Sequence, residues 1–120
     1  MIRRVETPAT RAFARLAATE ILVVGDIVLL EVLQGFSTEA RARGTEGWLR
    51  SFEVVAMLDD ALAVQAAAHY RRLRGLGVTP RSTADLVIAS WCLAHAVPLL
   101  QCDRDFAVMA DHLGLQLVAA

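Results

Sequence analysis

From Glu20 to Val118 the sequence alternates between short apolar runs of strand length and longer segments of helical length. This alternation constrains the fold more than any other feature. Strand-length runs read at "EILVVGD", "EVVAML", "PLLQC" and "LQLV". Between them lie "IVLLEVLQGF", with Gly35 as its stop, and "DDALAVQAAAHYRRLRGLG". "STADLVIASWCLAHA" and "DRDFAVMADHLG" follow. A further helix is expected from Thr7-Pro8, read as N-cap and first helical residue, through about Ala18. "STEARARGTEGWLRSF" reads as a helix interrupted or frayed by Gly44 and Gly47. Strands alternating with helices imply an α/β domain with a mostly parallel sheet, and in such sheets ligands bind beyond the carboxyl ends of the strands.

Two helices carry stronger local signals. The segment from Asp59 to Gly77 has acid at its start, arginine in its last turns and glycine after it, an order that complements the helix dipole. The segment from Ser82 to Ala96 is apolar nearly all round, so it should be buried.

At 120 residues, with 56% apolar content, the chain is long enough for one domain with its own core. Its longest apolar runs are far shorter than the roughly 20 residues of a membrane span. "MIRRVETPAT" has no apolar stretch of the signal-peptide kind. Cys92 and Cys102 sit among apolar residues and read as small buried hydrophobes, so a reducing cytoplasm is the expected location. The net charge of −1 gives no global attraction to nucleic acid. All 12 basic residues are arginine, which suits bidentate contact with phosphate or carboxylate and equally fits an arginine-biased composition.

Four carboxylates stand out against apolar neighbours. Glu31 lies in "VLLEVLQG", Asp85 in "TADLVIASW", and Asp103 and Asp105 close the run "VPLLQCDRD". An ionised carboxylate near a core is costly unless it is paired or binds a metal. Hard divalent ions such as Mg²⁺ and Mn²⁺ take carboxylate oxygens and can activate water beside a phosphodiester. Each acid also has a structural explanation. Ser82 to Asp85 fits the S-x-x-D capping pattern. Asp103 fits an N-cap with Asp105 in the first turn, and Glu31 fits a solvated helix face. Spacing alone leaves both readings open.

The stretches "DIVLLEVLQGF" and "TADLVIASWCLAHAVPLLQCDRDFAVMADHLGLQLV" resemble PIN-domain proteins, specifically the VapC-type toxins of toxin–antitoxin pairs, over about Thr7 to Val118. The resemblance implies a PIN-like three-layer fold, with a mostly parallel central sheet flanked by helices. It implies a Mg²⁺- or Mn²⁺-dependent ribonuclease acting on RNA phosphodiester bonds, a homodimer, and a cognate VapB-like antitoxin as partner. By position, Glu31, Asp85 and Asp103 match the family's metal-binding acids, and Asp105 an additional acid. Arg104, between the two aspartates, would lie close to a bound RNA phosphate. Gln101-Cys102 stands where relatives often carry Thr, His or Ser.

Relatives usually begin with a central strand ending in an aspartate that binds the metal, and "MIRRV" contains no aspartate. The expectation is a single PIN-like domain without that strand, and hence a site short of a principal acid. Three explanations are open: a mis-assigned or truncated start, a decayed toxin that acts by binding an antitoxin or dimerising, or another segment filling the gap. A receiver-like signalling domain would require a late lysine, and the chain has none.

The three histidines show no zinc-ligand spacing and read as ordinary helix residues. Trp48 and Trp91 read as core or interface anchors. Arg71, Arg72 and Arg74 read chiefly as complements to the helix dipole, with contact to RNA phosphate or an antitoxin's acids as the other reading. Neither a P-loop nor a dinucleotide-binding glycine motif is present.

Overall fold

The computed structural model describes residues 22–101 and 104–119. Their order is β1 (Val23–Gly25), α1 (Asp26–Gln34), α2 (Glu39–Leu49), β2 (Glu53–Val55), α3 (Asp60–Gly75), α4 (Thr83–His95), β3 (Leu99–Gln101), α5 (Arg104–Leu113) and β4 (Leu117–Ala119). The helix expected near Thr7 lies outside these residues.

Helix α4 is the hub. Every residue from Leu86 to Cys92 is buried, as a helix apolar on all sides requires. It packs against α1, α3 and α5. Its start is fixed by Ser82, whose hydroxyl accepts from the Asp85 amide at 3.3 Å. Its end is fixed by Ala96 in the left-handed region, φ 52°, while the Val97 amide reaches back to the Cys92 carbonyl at 2.9 Å.

Helix α3 lies against α4 and buries one stripe, Leu62, Ala66 and Leu73. Asp59 caps it by accepting from the Leu62 amide at 2.7 Å, and Arg72 and Arg74 stand in its last turn. Leu73 is fully buried, so truncating it to alanine removes roughly 2–5 kcal/mol of stability.

Helix α2 runs unbroken through Gly44 and Gly47, where the sequence suggested interruption. Each glycine costs about 1 kcal/mol of helix propensity. The Thr38 cap, the burial of Leu49, and packing on α1 outweigh that cost.

Strand β2 is shorter than its apolar run, because the chain leaves the ladder after Val55 and the Met57 amide turns to the side chain of Asp26. Helix α1 is strongly apolar, yet none of its residues is fully buried and Leu30 is 59% exposed.

The pairings are parallel, as expected for α/β topology. Among the described residues they form two separate pairs, β1–β2 and β3–β4, rather than one continuous sheet. Both pairs rest on the same core. Val23 and Val55 from one, and Leu99 and Leu117 from the other, pack against the cluster built around α4. No described helix is long and apolar enough to cross a membrane.

Candidate active site

Of the four acids singled out in the sequence, Glu31, Asp85 and Asp105 lie on three helices, two of which pack against the third, α4. Glu31 is on α1, which packs against α4. Asp85 is in the first turn of α4 itself. Asp105 is in the first turn of α5, which also packs against α4. Helix α5 opens directly beyond β3, so this acid follows the carboxyl end of a parallel strand, where α/β sheets bind ligands. Asp103 lies outside the described residues, and Arg104 and Asp105 are placed by their backbone alone.

Glu31 is half-buried and has no hydrogen-bond or ion-pair partner among the described residues. A carboxylate in that setting is short of positive charge. Asp85 is also half-buried. The Ser82 hydroxyl caps α4 by accepting from the Asp85 amide, as the S-x-x-D pattern implies. The oxygen-only chemistry of these side chains suits a hard divalent ion. Among the described residues, however, no three His, Cys, Asp or Glu side chains converge on one point. Glu31 and Asp85 alone do not make a complete ligand set.

Asp26 is a residue that the sequence reading passed over. One oxygen of its carboxylate accepts from the Ile27 amide at 2.8 Å and from the Met57 amide at 3.1 Å. It therefore ties the start of α1 to the chain leaving β2, and sets the direction of the helix that carries Glu31. A Gly-Asp pair between an apolar strand and an apolar helix was the available signal. Its second half, the bond to Met57, spans 31 residues of sequence. Gly25 lies against the end of the Met57 side chain, which would have to shift to admit a Cβ there.

The histidines do not join the acids as a metal cluster among the described residues. His69 pairs with Ser90 at 2.9 Å. His95 lies flat on Trp91, with ring centroids 4.1 Å apart. Trp48 stands edge-on to Phe52 at 5.6 Å. Cys92 is a free, buried thiol whose pKa burial pushes up to about 11, which makes it inert.

Residues 4–112 match the PIN domain family. The chain belongs to the PIN-domain family. Solved structures share the fold of this PIN domain. A chain of VapBC2 from Rickettsia felis, solved bound to a DNA fragment from their promoter, is 18% identical. It matches over 92% of this chain and 83% of its own, with a TM-score of 0.73. A chain of DNA-bound VapBC from Salmonella typhimurium is 20% identical over 94% of this chain and 85% of its own, with a TM-score of 0.72. A chain of FitAB bound to the IR36 DNA fragment is 13% identical over 96% of this PIN domain and 85% of its own length, with a TM-score of 0.69.

Proposed function

We propose that this PIN domain is the toxin of a type II toxin–antitoxin pair, a Mg²⁺- or Mn²⁺-dependent endoribonuclease hydrolysing RNA phosphodiester bonds. One observation carries the reading. Glu31, half-buried and without a described partner, sits on a helix packed against the helix that carries Asp85, inside a PIN domain.

Glu31, Asp85 and Asp103 would hold the ion, with Asp105 supporting them. A divalent ion supplies two things when bound: a more acidic water, and positive charge against the phosphodiester. Glu31 and Asp85 would orient that water through their oxygens. Arg104 would meet an RNA phosphate with its guanidinium fork. No covalent enzyme intermediate is required, because no serine or cysteine nucleophile is paired with a base beside the described acids. The partner would be a VapB-like antitoxin, the assembly a homodimer, and the compartment the cytoplasm. The VapBC complexes that share the fold support this setting.

A second reading, a PIN domain that works through its partners, is also supported by the VapBC complexes that share the fold. Such a chain would act by binding an antitoxin or by dimerising, without cutting RNA.

RNA cleavage by this chain with Mn²⁺, with EDTA, and after Asp85→Asn separates the two. Cutting that needs the metal and is lost in Asp85→Asn establishes the ribonuclease. Metal-independent cutting overturns it. Tight antitoxin binding without cutting or metal affinity establishes the binding role.

A further inference from the structure

A recess lies at the opposite end of α4 from Asp85, with His95 about 15 Å from Asp85 along the helix axis. It is a half-open cavity of about 190 Å³ between the β2–α3 connection, the first turns of α3 and the last turn of α4. Met57 and Leu62 form its apolar side. Asp59, Gln65, Trp91 and His95 supply its polar groups.

The His95 Nδ1 donates to the Trp91 carbonyl at 2.9 Å, since a carbonyl can only accept. The same bond clamps the imidazole against the indole, at an interplanar angle of 19°. The indole beneath is buried, so the exposed imidazole supplies the flat surface. Asp59 is exposed and gives one oxygen to the Leu62 amide, leaving the other open to solvent. Gln65 is exposed as well. The recess thus sets a solvent-accessible carboxylate and carboxamide beside the imidazole. Asp60 adds a second negative charge next door.

We infer that this recess, formed by Asp59, Gln65, Trp91 and His95, binds an arginine side chain presented by a partner polypeptide. A guanidinium is planar, stacks on aromatic rings, and donates several N–H bonds in one plane. It matches a carboxylate beside a flat surface. A nucleotide matches less well, because its phosphate would meet Asp59 and Asp60. The inference does not rest on the ribonuclease reading, since neither Glu31 nor Asp85 lines the recess.

The test is an NMR titration of the full chain with N-acetyl-arginine amide, its neutral citrulline analogue, and adenosine monophosphate. The readout is the Trp91 indole N–H signal, assigned with Trp48→Phe, which leaves Trp91 as the sole tryptophan. Arginine amide should shift that signal saturably, with a Kd on the order of 1 mM, as suits a single small anchor. Citrulline should not. Asp59→Asn should weaken binding about tenfold by removing a charge-assisted bond, while Asn preserves the helix cap. His95→Ala should weaken it as well. Equal shifts from citrulline, an unchanged Kd in Asp59→Asn, or no saturable shift would overturn the inference. Saturation by the nucleotide but not by arginine would also overturn it, and would reassign the recess to a nucleobase.

Discussion

His69 Nδ1 and Ser90 Oγ lie 2.9 Å apart across the interface of α3 and α4, and Ser90 is fully buried. This polar pair pins two helices whose other contacts are apolar. Burial, and secondarily the Arg72 guanidinium, hold the His69 pKa below its ordinary value of 6.5.

That depression gives stability a defined pH dependence. As pH falls through 6.5, the unfolded chain takes up the proton before folded His69 does. This contribution is therefore complete above pH 6.5 and is lost as pH falls towards the folded pKa. The urea midpoint should be lower at pH 5.5 than at pH 7.5, and His69→Gln should shrink the difference. Ser90→Ala should lower the midpoint at pH 7.5, by about 1 kcal/mol of stability.

Asp26 predicts a different kind of loss. Asp26→Ala leaves the Met57 amide without its acceptor and frees the start of α1. Stability should fall by about 1–3 kcal/mol in urea unfolding. If Glu31 acts as proposed, Mn²⁺ affinity measured by calorimetry should fall too, although Asp26 itself need not touch the ion.

Ala96 holds a left-handed conformation with φ 52° at the end of α4. For an L-residue this costs roughly 1–2 kcal/mol, and glycine escapes it. Ala96→Gly should therefore raise the urea midpoint, by about 1 kcal/mol once the extra freedom of glycine in the unfolded chain is counted. An unchanged or lower midpoint would show that the cap is held by contacts of the methyl group.

A metal held by Glu31 and Asp85 must stabilise the folded chain. Saturating Mn²⁺, at about 100 times its Kd, should add about 2.7 kcal/mol, and EDTA should remove it. The rise in Tm should vanish in Glu31→Gln, with the mutant's metal-free Tm kept close to that of the parent, because Glu31 makes no described ion pair.

What the sequence determined is what depends on near neighbours. Ser82 caps its helix through a bond to the residue three positions on, so a short window sufficed to read the pattern. The all-apolar stretch of α4 implied its burial for the same reason. The acids Glu31 and Asp85 were legible as charges out of place among apolar residues. Tertiary structure alone decided the rest. It carried α2 through two glycines, because packing on α1 outweighs local propensity. It left α1 half-exposed, split the described strands into two pairs, and brought Asp26 to Met57 and His69 to Ser90. Each of these turns on which distant segments come to share a core, and hydrophobic burial favours apolar surface without naming its partner.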